Sequence, residues 1–303
     1  MPDARARVVE SLYPFTSRYY DRGGLKLHYV DEGAGDPVVC VHGNPSWSFY
    51  YRELIKELSG SHRVLAPDHI GCGLSDKPDD ARYEYRLERR IDDMEAWLDA
   101  LGIKKNITLV MHDWGGAIAM GYATRHPERV SRLVVMNTAA FPKPRAKALP
   151  WSLWLCRGTK LGALFVRGLN VFVRGWLITG CKTRRLEASE RAGYLAPYDS
   201  YENRIAVLRF VQDIPLDRDD PSFECLAGIS DALSSLREKP MLILWGEKDF
   251  VFDDHVLSEW TGRFTAARVE VFPEAGHLIL EDARAESLAL ILNFLDPGQE
   301  EQA

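Results

Sequence analysis

Val110-Met111-His112-Asp113-Trp114-Gly115-Gly116 is the stretch that decides how this chain folds. Before it, Ile107 to Met111 is a short apolar and β-branched run; after it, Ala117 to Ala123 returns to helical spacing. Asp113 therefore falls on a tight strand-to-helix turn. Gly115 and Gly116 let the helix start close against neighbouring strands, so the carboxylate projects into a site at the helix N-terminus. Backbone N–H groups there favour developing negative charge. An aspartate before a helix also serves as a plain N-cap, and on this stretch alone that reading stays open.

Two further segments stand where a nucleophile at such a turn needs them. Upstream, Pro37 to Val41 reads as a buried strand running into His42-Gly43-Asn44-Pro45, a loop whose Asn44 N–H would pair with that of Trp114 across the site. Downstream, Arg268 to Phe272 alternates like a strand and is followed by Gly276-His277, which supplies a base. Between them, the apolar strand Pro240 to Gly246 is followed by Asp249, which supplies an acid to orient that base. The order is nucleophile, acid, histidine. Each residue also has a plainer reading: His277 as a loop histidine satisfied by a carbonyl, His255 as the true base, Asp249 as a cap for a helix beginning near Asp253. His42, His69 and His112 read as structural, and neither metal-ligand spacing nor a cofactor motif is present.

The rest of the chain alternates strands and helices. Tyr19 to Asp31 reads as a hairpin turning at Gly23-Gly24, Ser46 to Leu58 as a helix, Arg63 to Pro67 as a strand, and Leu133 to Met136 as another. Leu87, Ile91, Met94 and Leu98 recur at helical spacing, ending near Gly102. The alternation implies a parallel, doubly wound α/β sheet. It breaks between about Phe141 and Leu216, where helical segments occur without a strand, so residues 141–218 are expected to form a helical cap between core segments 1–140 and 219–303. The apolar run Leu161 to Leu177 is interrupted by Arg167, Asn170 and Arg174 and does not suit a bilayer-spanning helix.

Charge is unevenly distributed. Lys143 to Arg191 carries eleven Lys or Arg against Glu187 and Glu190, a net of +9, so the −6 of the whole chain leaves −15 elsewhere. The basic stretch either solvates a lid or forms a face for an acidic protein partner or an anionic membrane surface. No nucleic-acid-binding motif accompanies it. The five cysteines are scattered and read as reduced. Met1 to Glu10 is charged and lacks a signal-peptide core, so the cytoplasm is the expected compartment, and Gln299 to Ala303 reads as a frayed tail.

Taken together, His42-Gly43-Asn44-Pro45, His112-Asp113-Trp114-Gly115-Gly116, Asp249 and Gly276-His277 resemble the haloalkane dehalogenases of the α/β-hydrolase superfamily over nearly the whole chain. The resemblance implies an α/β-hydrolase fold: an eight-stranded, mostly parallel sheet with helices on both faces and a helical cap over a buried apolar pocket. It implies Asp113 as the nucleophile on a halogen-bearing carbon, the side chains of Asn44 and Trp114 as halide donors, and His277, oriented by Asp249, as the activator of water. Small apolar substrate, water and halide would be the ligands, with no cofactor or metal, and an oligomer remains open. Asn137 stands where one subfamily places its catalytic Glu, which leaves Asp249 as the acid. Another subfamily uses a cap tryptophan as donor, and Trp151, Trp154 and Trp176 are available for that role, although Asn44 is favoured.

A second resemblance concerns the substrate. Asn137 to Pro142, Ala196 to Asp199, Asn203 to Ile205 and Gln212 to Leu216 look like the β-lactone decarboxylases of bacterial long-chain olefin biosynthesis. That resemblance implies opening of a β-lactone with release of carbon dioxide and a cis-alkene, in assemblies with partner enzymes. Epoxide hydrolysis, with Tyr194, Tyr198 or Tyr201 as the acid, and a catalytically silent binding module are the weaker readings. The chemistry itself has a plain rationale. Displacement at saturated carbon needs a weakly solvated carboxylate and N–H donors where the leaving group gains charge.

Overall fold

The computed structural model describes residues 10–144 and 150–297. The expectations for the first nine residues, for 145–149 of the basic stretch and for the Gln299 to Ala303 tail lie outside the described residues. Eight strands form one sheet: β1 (Arg18–Asp21), β2 (Lys26–Glu32), β3 (Pro37–Val41), β4 (Arg63–Pro67), β5 (Ile107–Asp113), β6 (Val130–Thr138), β7 (Met241–Gly246) and β8 (Arg268–Phe272). Their spatial order is β1-β2-β4-β3-β5-β6-β7-β8. β1 pairs with β2 and β2 with β4 in antiparallel fashion, while the pairs from β4 through β8 are parallel.

Parallel strands covered on both faces read as continuous apolar runs, and every residue of β5 is buried. The strand order reverses direction at β3 and β5, with β4 on one side and β6 on the other. Crevices at the carboxyl ends of strands form at such switch points, and Asn44 and Asp113 lie at the ends of these two strands.

Outside the sheet, α1 (Arg52–Leu58), α2 (Leu87–Ala100) and α3 (Trp114–Arg125) follow β3, β4 and β5. The helix expected from Ser46 begins as a 3₁₀ turn over Ser48–Tyr51 before α1. The strand expected over Leu133 to Met136 runs longer, because its upstream end pairs with Ile107 and its downstream end with Asp113. The helix expected near Ala117 starts at Trp114, directly after Asp113.

Between β6 and β7 the described residues form helices and turns without a strand. These are α4 (Trp151–Gly158), α5 (Lys160–Ala163) continuing into a π turn over Leu164–Gly168, α6 (Val171–Thr179), α7 (Ala188–Leu195), α8 (Ile205–Gln212) and α9 (Phe223–Ala232). After β7 come α10 (Asp254–Arg263), α11 (Ile279–Asp282) and α12 (Arg284–Leu295). No single described helix is long and apolar enough to cross a membrane. The five cysteines form no disulfide.

A buried charge cluster ties the inserted helices to the sheet. Glu281, 1% exposed, accepts from Arg52 at 3.0 Å, Arg184 at 2.8 Å and the Tyr194 hydroxyl at 2.6 Å. Glu190 on α7 accepts from Arg184 and Arg284 at 2.8 and 2.7 Å. Burial alone would raise the Glu281 carboxyl, but the Arg52 charge and hydrogen bonds, then Arg284 and Tyr194, hold it below its ordinary value. Since Glu281 follows His277 by one turn of chain, the same cluster seats α7 and the histidine loop. Glu281→Ala leaves Arg52 buried without its main partner and should destabilise the protein by about 3–5 kcal/mol in chemical denaturation. A loss well under 1 kcal/mol would show that the cluster does not anchor these segments.

Candidate active site

Asp113 has φ 53° and ψ −129°, a conformation that costs a non-glycine residue on the order of 1–3 kcal/mol. It survives because its neighbours over-determine it. The Thr138 hydroxyl donates to its carbonyl, and the register of β5 against β6 shifts between His112 and Asp113. Close approach is permitted by two glycines. A Cβ on Gly43 would run into the Asp113 carboxylate, and one on Gly115 into the Val41 carbonyl.

The carboxylate is fixed at one end. Asn44 N–H donates to Asp113 Oδ1 at 2.6 Å, and the Trp114 N–H bonds the same carboxylate. Burial raises the Asp113 carboxyl above its ordinary value, and the facing His277 and these two N–H groups only partly offset that. A desolvated carboxylate of this kind is a stronger nucleophile than a solvated one.

The loop that supplies Asn44 is itself held by histidines. His42 accepts from the His69 N–H at 3.0 Å and bonds the Gly43 carbonyl through Nδ1 at 2.8 Å. His69 Nε2 bonds the His42 carbonyl at 2.9 Å. Both rings are buried, and burial pushes both below their ordinary values, so they serve as neutral struts. His112 does the same for the other loop. Its Nε2 donates to the His277 carbonyl at 2.8 Å, and burial holds it neutral.

His277 is 1% exposed and bonds Asp249 Oδ2 through Nδ1 at 2.8 Å. Its Nε2 lies 3.8 Å from Asp113 Oδ2, too far for a hydrogen bond. Burial lowers the imidazole, but the Asp249 charge and hydrogen bond, followed by Asp113, raise it overall above its ordinary value. Asp249 is completed by Asn137, whose Nδ2 donates to Oδ2 at 3.0 Å, and by the Val251 N–H at 2.7 Å on Oδ1. Asn137 also spans to β7, donating to the Gly246 carbonyl and accepting from the Gly246 N–H. Sequence reasoning gave Asn137 no role beside Asp249, reading it as the position of a missing acid and as part of a stretch of family resemblance. Its φ of 34°, tolerated by asparagine, was the feature that could not be read.

Above these groups lies a cavity of about 650 Å³, of the size that takes drug-sized ligands. Asn44, Asp113, Trp114 and His277 form its polar end. Apolar side chains such as Phe165, Phe172, Val211, Leu226 and Phe252 form its walls. Phe252 stacks on the His277 ring at 5.9 Å, a contact the sequence did not signal. Asp249 stands behind His277, outside the cavity lining.

The structure also separates the alternatives. Asn44 Nδ2 donates to the Val207 carbonyl at 3.2 Å, which engages one of its two N–H groups, and its Oδ1 is buried without a donor. Of the three cap tryptophans, Trp176 alone is buried; it lines the cavity and its Nε1 has no partner, whereas Trp151 and Trp154 are 78% and 61% exposed. Tyr194 donates to Glu281 and Tyr198 to the Ser46 carbonyl, and neither they nor Tyr201 line the cavity, so the epoxide-opening reading lacks its acid. His255 is surface-exposed beside Asp253 and Asp254 and is no base for this cavity. These three side chains form a small exposed cluster that the sequence reading did not single out, and clusters of this sort are common without an ion.

A model of the alpha/beta hydrolase fold family matches residues 36–283. The chain is 51% identical over 288 residues to a cis-3-alkyl-4-alkyloxetan-2-one decarboxylase of Shewanella oneidensis, covering 95% of this chain and 91% of that one. Identity to the Xanthomonas campestris enzyme of the same name is 44% over 292 residues, covering 94% and 97%. A haloalkane dehalogenase of Mycobacterium marinum is 33% identical over 304 residues, covering 97% and 98%. Among solved structures, haloalkane dehalogenase DatA from Agrobacterium tumefaciens C58 superposes with a TM-score of 0.83 at 27% identity, over 92% of this chain and 96% of that one.

Asp113→Ala should abolish turnover while circular dichroism and melting stay close to those of the parent chain. A carboxylate acting as nucleophile must be ionised, so with Asp113 in that role the parent rate should fall on acidification at a pH above the ordinary aspartate range. A rate that stays flat down to about pH 4 would contradict this role.

Proposed function

The chain belongs to the alpha/beta hydrolase fold family, and from that premise we propose that it opens a cis-3,4-dialkyl β-lactone through Asp113 and releases carbon dioxide and a cis-alkene. The observation that carries the reading is Asp113 itself, clamped at Oδ1 and turned with Oδ2 towards His277 at the polar end of an apolar cavity. The choice of a lactone over a haloalkane is supported by the 51% and 44% identity to two oxetanone decarboxylases, against 33% to a dehalogenase.

The steps balance without water. One Asp113 oxygen attacks the ring carbon that bears the lactone oxygen, from the face opposite that oxygen. A C–O ester bond forms and the ring C–O bond breaks, its electron pair staying on the ring oxygen, which becomes the second oxygen of a free carboxylate. The carbon–carbon bond to that carboxylate then supplies the electrons of the new double bond. Carbon dioxide departs, and the ester C–O bond breaks in the opposite direction to return the Asp113 carboxylate. Inversion in the first step followed by anti elimination in the second preserves the cis relation of the two alkyl groups.

The residues at the polar end have matching roles. The Trp114 indole and the remaining Asn44 amide N–H stabilise the carboxylate as the ring opens, and Trp176 offers a further donor beside them. Asp249 raises His277 and so favours its cationic form, which stabilises Asp113 as it leaves. The inserted helices act as a cap that excludes water, so that the ester collapses to alkene before it is hydrolysed.

Hydrolytic dehalogenation is the second reading, favoured by the DatA superposition and by the two N–H donors at the polar end. It differs in its demand on His277, which must be neutral to activate water. Dehalogenation should therefore fade as pH drops through the raised imidazole value, whereas alkene release should persist there until Asp113 protonates.

The purified protein should be offered a synthetic cis-3,4-dialkyl-oxetan-2-one, 1-bromobutane and 1,2-dibromoethane in parallel, with alkene, carbon dioxide and bromide followed. Fast alkene release with feeble bromide release is expected; bromide without alkene would make the protein a dehalogenase. Trp114→Phe should lower the rate roughly 10²–10³-fold by removing one donor while keeping a ring. His277→Phe should still release alkene, more slowly. Accumulation of a stable alkyl-enzyme ester in that variant, seen by intact mass, would instead assign His277 to water activation.

A further inference from the structure

The outer face of α4, α5 and α6 combines two features that do not belong to the reacting centre. Trp151, Trp154, Leu161, Leu164 and Ile178 are 51–78% exposed on three consecutive helices. Apolar side chains this large and this exposed, recurring through one short stretch of chain, are unusual on a free surface. Along the chain they alternate with Lys160 and Arg174, which form no ion pair among the described residues, inside the stretch that carries +9 while the remainder carries −15. The segments Lys160–Gly168 and Val171–Thr179 are apolar enough together to enter a bilayer but are bent by 75° at the break, which suits lying in an interface and not crossing it.

Two cavities open beside this face, one on each side of α6. Trp151, Val171, Gly175 and Thr179 line the reaction cavity, and Trp151 and Val171 are themselves exposed, so they mark its mouth. On the other side lies a cavity of about 500 Å³ lined by Asn170, Arg174, Arg191, Tyr198, Asp199 and Arg204. Arg204 is 7% exposed and donates to the Arg167, Tyr198 and Gly168 carbonyls, without a carboxylate partner. Asn170, also 7% exposed, has an Oδ1 with no donor. Three guanidinium groups outnumber the one carboxylate, Asp199, and with the N-terminus of α6 favour an anion there, while the Asn170 oxygen favours a hydroxyl beside it.

We infer that this face docks on an anionic phospholipid bilayer, with a phosphate headgroup in the arginine cavity and the reaction cavity opening towards the acyl chains. Exposed tryptophans suit the headgroup level, and each cation near an anionic leaflet strengthens attachment. The inference stands whichever leaving group Asp113 displaces. It gives a route by which a water-insoluble substrate and its product exchange between membrane and cavity.

The test is sedimentation of the whole protein with phosphatidylglycerol–phosphatidylethanolamine vesicles and, separately, with phosphatidylcholine vesicles. Binding to the anionic vesicles alone, weakened by salt, is the expected result. Trp154→Ser/Leu164→Ser/Ile178→Ser and, independently, Lys160→Glu/Arg174→Glu should each lower the bound fraction roughly tenfold or more while turnover of a short-chain soluble substrate is kept. Equal attachment to both vesicle types, no attachment to either, or unchanged attachment of both variants overturns the proposal. Binding to polyglutamate without binding to vesicles also overturns it and gives the face to an acidic protein.

Discussion

The site depends on one backbone conformation, that of Asp113 at positive φ between β5 and α3. In continued strand geometry this side chain would stand perpendicular to the sheet, over one of its covered faces. The turn instead lifts it into the cavity and places the next N–H, that of Trp114, on its carboxylate. The strain is offset by contacts that no single element could supply: the Thr138 hydroxyl from β6, the Asn44 N–H from the loop after β3, and the closeness that Gly43 and Gly115 allow. A side chain on Gly43 would meet the carboxylate directly, whereas one on Gly115 would push on the end of β3 through the Val41 carbonyl.

A second constraint follows from burying so many charges. Asp113, Asp249 and His277 are all at most 7% exposed, yet burial does not treat them alike. Asp249 receives two N–H donors besides the imidazole, whereas Asp113 receives backbone N–H groups at one end and faces His277 across a gap at the other. Environment thus gives two chemically identical carboxylates different partners: one holds the imidazole at hydrogen-bond distance, and the other faces it across a gap. Asn137 contributes to this division without any charge of its own. Its amide joins Asp249 to the end of β7, so the acid cannot swing towards Asp113.

Much of this was legible in the sequence, and the parts that were not share a cause. Strand and helix alternation exposed the parallel sheet because buried strands such as Ile107 to Asp113 are apolar on both faces. The motif residues were legible because turns demand particular residue types, as Gly115 and Gly116 do after Asp113. What escaped was whatever depends on pairing between segments distant in the chain. Asn137 meets Asp249 across more than a hundred residues, Phe252 stacks on His277, and Trp176 differs from Trp151 and Trp154 only in which face of its helix meets the core. Apolar spacing over α4 to α6 leaves that distinction open, since exposed Leu164 and Ile178 break the usual pattern.

The histidine raises the last physical question, because the proposed lactone reaction uses no water and transfers no proton. A base held by an acid is then an odd endowment, unless its cationic form is the useful one. Asp249 and Asp113 together favour that form, and the 3.8 Å gap from Nε2 to Asp113 Oδ2 suits a charge that attracts without hydrogen-bonding the nucleophile away. When the ester breaks, negative charge returns to Asp113 in a cavity whose walls are apolar, and the imidazolium is the nearest compensating charge. Hydrolysis would instead require the neutral imidazole to activate a water beside the ester. One arrangement thus fits two outcomes, and what separates them is whether the departing carboxylate loses carbon dioxide before water enters. That makes exclusion of water by the inserted helices, and not the identity of the catalytic side chains, the variable on which the choice of product turns.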